Sequence, residues 1–353
     1  MRTRSSGTCC SAFSSGWWMR AAKEVALALS VALPAQAADP GLRFTTASSG
    51  ELVFDTGVLR GTLRAKGKSD GLSGVVHIPT GRPVSYGYGL IGHYRVFSAN
   101  RRYIPDAWAS PSQATLRTDG SVEVHWPASD GRPFEMWAVY RWSAPAVLDV
   151  ETRVQARSAL QGFESFLASY FAEGFLQASA WVKQGKAHFV EAGESEGAWQ
   201  MFPRDHTAVL LIQDGRWKYR PSPVDWRIRA ALNAPLAVRR EAGSGLAVAL
   251  MSPPSDCYAL SAPQQRDKHR SLYLSLFGRD LAAGATARAR VRMVVGVLQD
   301  SVIVKMYRQY TRSLGKAKIG QAEEGKSNRG AASALRQGPP SNRGWSVTSV
   351  SAH

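Results

Sequence analysis

The chain has 353 residues, 44% of them apolar and 20% charged, so it can bury a sizeable core as one large domain or two small ones. Its formal net charge is +17, from 44 basic and 27 acidic side chains. The arginines of the central part are scattered singly through predicted strands and turns with no nucleic-acid motif beside them, which sets nucleic acid aside and leaves an acidic polymer, or simple solubility, as the reason for the charge.

Residues 1–37 contain a basic segment (Arg20, Lys23), an apolar run from Val25 to Leu33, and Ala35-Gln36-Ala37. These are the three parts of a secretory signal, with cleavage expected before Ala38 and a periplasmic or extracellular destination. Met19 offers an alternative start. The apolar run is shorter than the roughly 20 residues that a membrane-spanning helix needs, so no stable membrane span is expected. Cys9 and Cys10 fall inside the signal, which leaves Cys257 alone and no intrachain disulfide in the mature chain. An exported protein of this kind has to be held by its core alone, as one large domain over 40–312. Cys257, between Asp256 and Tyr258 in an apolar run, reads as a buried core thiol.

After a small, polar approach segment, Glu51–Phe54, Val58–Arg64 and Gly74–Ile78 read as short strands separated by glycines. Gly81 to Ser112 follows, long and without clean periodicity, dense in Tyr86, Tyr88, Tyr94, Tyr103 and Trp108 and in His93, Arg95, Asn100, Arg101, Arg102 and Asp106. Irregular segments of this length inside a compact domain are functional or disordered, and the aromatics argue against disorder. Flat apolar rings with polar rims beside hydrogen-bonding groups suit sugars, which have apolar C–H faces and hydroxyl edges. The alternative is a loop whose aromatics cover a sheet edge and whose arginines are solvated.

Thr115–Arg117 and Val122–Trp126 form a predicted hairpin around Asp119-Gly120. From Phe134 to Trp142, Phe134, Met136, Ala138 and Tyr140 alternate with Glu135, Trp137, Val139 and Arg141; from Val147 to Ala156, Leu148, Val150, Thr152 and Val154 alternate with Asp149, Glu151, Arg153 and Gln155. This is the pattern of an antiparallel meander with one wetted face. A third run, with Phe163, Phe166, Leu167, Tyr170 and Phe171, reads as a central strand. Further strands are expected at Trp181–Lys183, His188–Glu191, Thr207–Ile212, Leu236–Arg240, Leu246–Met251, Cys257–Ser261, Ser271–Phe277 and Ala287–Val295. About fifteen strand candidates at short spacing predict an all-β fold, a large antiparallel β-sandwich. One helix is expected near the end, capped by Asp300 or Ser301 and striped by Val302, Ile303, Met306, Tyr307 and Tyr310, packing across the end of the sandwich. Residues 313–353, rich in Gly, Ser, Ala, Lys and Arg, read as a disordered basic tail.

Tyr94-Arg95-Val96-Phe97-Ser98-Ala99-Asn100-Arg101 resembles the early Asn-Arg segment of the galactose-mutarotase-like β-supersandwich proteins, and Ala168-Ser169-Tyr170-Phe171 resembles their His-Ser-Tyr-Phe segment. This group includes aldose 1-epimerases and several polysaccharide lyase and glycosidase domains; the body also resembles uncharacterised secreted bacterial proteins of the same β-rich type. The resemblance covers Gly89 to Phe171 and implies sugar binding by Asn100 and Arg101. It departs at one decisive place: the family's catalytic histidine falls on Ala168, whose methyl group transfers no proton. Aldose epimerisation is therefore not implied, and an enzyme on this scaffold would be a polysaccharide lyase or a glycoside-processing enzyme.

The seven histidines are dispersed, and no HxH, HExxH, CxxC, nucleophile elbow or phosphate loop occurs, so no metal or cofactor is expected. Two clusters could carry chemistry. In the first, His93 is a proton-transfer group near Arg95, Asn100 and Arg101, which can mask a carboxylate, as a lyase on uronic acids requires; Tyr103, Trp108 and Tyr170 would line its substrate. In the second, Arg204, Asp205 and His206 offer an acid and a base, or an ordinary salt bridge at a strand start. The expected partner is a carbohydrate, with an acidic polysaccharide matching the charge, and the expected state a monomer. The alternative is a non-catalytic structural or interaction β-sandwich of the cell envelope.

Overall fold

The computed structural model describes residues 41–65, 69–193, 198–263 and 270–315. The expected signal segment 1–37, and the expected tail apart from residues 313–315, lie outside the described residues.

Strands dominate, in three sheets of five, nine and seven strands. The five-stranded sheet is a meander made of the first strands in the chain, Thr45–Thr46 to Arg82–Pro83. In the nine-stranded sheet, Phe134–Ala144 and Val147–Ala156 pair antiparallel as their alternation predicts, Tyr140 opposite Val150 and Met136 opposite Val154. Their inward residues Met136, Ala138, Tyr140, Leu148 and Val150 are buried while their neighbours stay partly wet. Thr286–Val297 lies on the far side of Val147–Ala156, and Val122–Trp126 with Gln113–Leu116 extends the other edge.

The third aromatic run leaves the meander. Leu160–Tyr170 crosses to the seven-stranded sheet, where it is central, flanked by Ser271–Leu281 and by Gly92–Ser98. Its inward side chains, Phe163 and Leu167, join a core shared with Phe54, Met136 and Leu250 of the other two sheets. Its outward side chains, Phe166 and Ala168, belong to a second apolar cluster with Phe97, Trp199, Trp217, Tyr258 and Tyr273. This strand is thus buried on both faces, which is why its sequence is apolar without alternation.

The second cluster is closed by an excursion between Ala198–Pro203 and Asp225–Ile228, the parallel pair of this sheet. Parallel neighbours need a crossover, and the segment 204–224 supplies it. Here the expectation of a strand at Thr207–Ile212 is corrected: His206–Gln213 is an α-helix. Short apolar runs do not distinguish the two. The Asp205 side chain decides it by accepting the Ala208 amide at 2.9 Å, and Ala208 and Ile212, one turn apart, bury against the sheet.

The helix at 300–315 does not cross the end of the sandwich. Its stripe of Ile303, Tyr307 and Tyr310 packs on the outer face of the nine-stranded sheet, against Trp181, Leu236, Ala249 and Val294. Among the described residues no helix is long and apolar enough to cross a membrane.

Candidate functional site

The segment expected to be an irregular loop contains a sheet strand, Gly92–Ser98, and its local geometry decides what each polar residue does. The register against Leu160–Tyr170 slips between Ser165 and Leu167, a bulge opposite residues 93–96. His93 points into the main core, and both Tyr94 and Arg95 reach the outer cluster.

His93 is fully buried. Its Nδ1 and Nε2 meet the hydroxyls of Ser165 and Thr152, each at 3.1 Å, and its ring stands edge-on to Trp126. Burial lowers its pKa to about 3, so it is a neutral pillar between two sheets. An imidazole with no exposed surface reaches no substrate, and His93 is not grouped with the exposed Asn100 and Arg101 around one ligand. Tyr103 is likewise a core residue, edge-on to Phe134 with its hydroxyl 3.2 Å from Ser98 Oγ. Asn100 and Arg101 lie exposed at the turn beyond the strand, the Arg101 guanidinium 5.1 Å from the Tyr103 ring centre. Its neighbour Arg102 makes the structural pair, with both Asp106 oxygens 2.8 Å from Nη2.

Asp205 and His206 are the two residues at the start of the short helix. Asp205 accepts from Arg204 Nε at 2.7 Å besides capping Ala208. Partial burial opposes its charge, but these hydrogen bonds outweigh it and hold its pKa below the usual carboxylate range. His206 is exposed. The capping role accounts for Asp205.

Arg95, Trp108 and Tyr170 do come together, on the outer face of the seven-stranded sheet. Trp108 stacks with Tyr94 (centroids 3.8 Å apart, planes 20°) and with Tyr88 (4.8 Å, 17°). Tyr170 leans on both Tyr88 and Trp108, and its hydroxyl meets that of Tyr273 at 3.1 Å. Burial, then the neighbouring Tyr273, pushes the Tyr170 phenol far above its ordinary pKa. The stack opens to solvent at Tyr88, 55% exposed, beside Tyr86, 69% exposed. The Tyr86–Gly89 turn is tied to the end of the central strand, Tyr86 N donating to Tyr170 O and Tyr170 N to Gly89 O. Only glycine fits at 89, where φ is +75° and an added Cβ would lie 2.6 Å from Leu72 O.

Behind the stack lies Arg95, 2% exposed, its guanidinium over the Tyr94 and Trp199 rings at 4.9 and 5.4 Å. Nη2 donates to Tyr94 Oη and to Ser222 O, whereas Nε and Nη1 have no hydrogen-bond partner. Among the described residues no carboxylate pairs with it. Ala168, the position of the resembled family's histidine, sits in the same cluster, 1% exposed.

Tyr88 and Tyr94 belong to the aromatic segment 81–112 that the sequence marks out, whereas Trp199 and Tyr273, which join them on this face, carry no motif. One signal for them was available: Phe166, Ala168 and Tyr170 alternate with Leu167 and Ser169 and form a second apolar face.

No known family model matches this chain, and no curated protein is similar to it in sequence. Solved structures similar to it include aldose 1-epimerases and a glycosidase. The Slr1438 protein from Synechocystis sp. PCC 6803 is 13% identical, with a TM-score of 0.45 over 75% of this chain and 100% of its own. A galactose 1-epimerase from Lactobacillus acidophilus is 8% identical, TM-score 0.40, over 70% of this chain and 94% of its own. The α-N-acetylgalactosaminidase of Bifidobacterium bifidum is 11% identical, TM-score 0.40, over 63% of this chain and 34% of its own. At these values the likeness says nothing about the site.

Proposed function

We propose that this protein binds carbohydrate on the outer face of the seven-stranded sheet, at the aromatic stack of Tyr94, Trp108 and Tyr88 beside Tyr170. The observation that carries this reading is that the stack runs from the sheet to solvent and ends in Tyr88, with Tyr86 in the same turn, both more than half exposed. Rigid rings with polar edges present area to the C–H faces of a sugar with little side-chain freedom to lose, and their hydroxyls meet its edges. Two exposed tyrosines fixed by a turn that is itself bonded to a central strand form a pre-organised platform rather than a mobile loop. The three-part segment of residues 1–37 supports export, so the ligand would be met outside the cytoplasm.

The test is titration of the protein with a panel of neutral and acidic oligosaccharides, followed by tryptophan emission and calorimetry. Tyr88→Ala and Trp108→Ala should each weaken binding at least about tenfold, the scale of a lost stacking contact with its buried area. Tyr88→Ala should leave the melting temperature close to wild type, because its ring is mostly exposed. Binding that survives both substitutions would show that the stack is not the platform.

A further inference from the structure

We infer that the ligand of this face carries an anionic group, a carboxylate or a sulfate ester, and that Arg95 receives it; this rests on the carbohydrate reading above. The guanidinium is 2% exposed, yet Nε and Nη1 have no hydrogen-bond partner and the acceptors on Nη2 are a tyrosine hydroxyl and a carbonyl, both neutral. A buried cation without a counter-charge is among the least favourable arrangements in a protein interior, and the two aromatic faces beside Arg95 offset only part of the desolvation. Two other buried arginines near this sheet are treated differently. Arg216 has Glu164 at 2.8 Å and Asp214 at 2.7 Å, and Arg102 has Asp106 on both oxygens. Arg95 alone among these three has no carboxylate.

Arg95 is crossed on its outer side by the exposed segment 220–223, whose Ser222 carbonyl holds Nη2 at 3.0 Å with Ser222 itself at φ 57°. A carboxylate or sulfate that takes the place of this carbonyl exchanges a neutral acceptor for a charged one. It also gains the Nε–Nη2 edge of the guanidinium as a two-point fork, the arrangement in which arginine recognises oxyanions best.

The experiment uses the full chain and four trisaccharides: trigalacturonate, its methyl-esterified form, a sulfated galactotriose and unsulfated galactotriose. The expected result is that at least one charged member binds about tenfold or more tighter than its uncharged counterpart, as a charge-assisted hydrogen bond requires. Which pair shows the difference tells carboxylate from sulfate. Arg95→Met should erase the difference and melt at or above the wild-type temperature, because it removes an unpaired buried charge. Equal affinities within both pairs would overturn the inference while leaving the carbohydrate reading standing. A preference that persists in Arg95→Met would also overturn it, since the basic surface would then be its source. An Arg95→Met protein that melts well below wild type would overturn it too, by showing that the charge is already compensated. Absence of binding by all four sugars would remove both readings.

Discussion

Removing Arg216 should detach the crossover segment from the sheet, and the size of the effect follows from its surroundings. The Arg216 and Glu164 side chains are both fully buried, Nη1 2.8 Å from Oε2, and the same carboxylate oxygen accepts the Tyr258 hydroxyl at 2.6 Å. Burial disfavours the charge on Arg216, yet its anionic neighbours, Glu164 and Asp214 among them, raise its hold on the proton. Arg216→Met strands Glu164 with a single neutral donor. Breaking a buried pair from one side costs about 3–5 kcal/mol. At roughly 2–4 °C per kcal/mol for a domain of this size, the melting temperature should fall by about 6–20 °C. Trp217, fully buried next to Phe97 and Phe166, should report the detachment by a red-shifted emission. The double substitution Glu164→Leu with Arg216→Met removes both charges and should recover most of the loss, since an apolar pair of similar volume replaces a buried ion pair at little cost. Urea denaturation of the wild type and the two variants is the assay. A single variant within about 1 kcal/mol of wild type, with unchanged emission, would refute the reasoning.

Burial keeps His93 neutral in the folded chain down to about pH 3, while the unfolded chain binds the proton near 6.5. Acid therefore favours unfolding, and stability should fall by up to about 1.4 kcal/mol per pH unit as pH drops from 6.5 toward 3. His93→Gln should flatten that part of the pH profile, and an unchanged slope between pH 6 and 4 would count against the neutral-pillar assignment. Asp205→Ala should cost about 1 kcal/mol through loss of the helix cap, with Asp205→Asn close to wild type and sugar binding unaffected by either; a large loss of binding in both would return Asp205 to the site. Cys257, fully buried with its thiol pushed up to about 12, should react with a thiol reagent only on unfolding, which mass analysis of a chain begun at Ala38 would show.

The β architecture was legible residue by residue because a half-wet strand has a period of two. Phe134–Trp142 and Val147–Ala156 state their inward faces outright, and the structure pairs them as written. The stripe of Ile303, Tyr307 and Tyr310 states a helix in the same way, and the acid–amide cap at Asp205 was present in the sequence although the apolar residues after it read equally as a strand. What the pattern cannot carry is which surface a buried side chain meets. Leu160–Tyr170 is apolar on both faces because layers cover both, so its composition marks a central strand without saying which sheet contains it. His93 and Arg95 are two residues apart and looked like one constellation; a single bulge sends the first between the sheets and the second outward beneath Tyr94 and Trp199. Trp108 and Tyr88 reach that arginine's cluster only because the turn at Gly89 and the end of the central strand hold each other in place. Alternation is a local property and was fixed by the order of residues. The meeting of Arg95, Tyr94, Trp108, Tyr170 and Trp199 depends on register across strands far apart in the chain, and only the packed structure decides that.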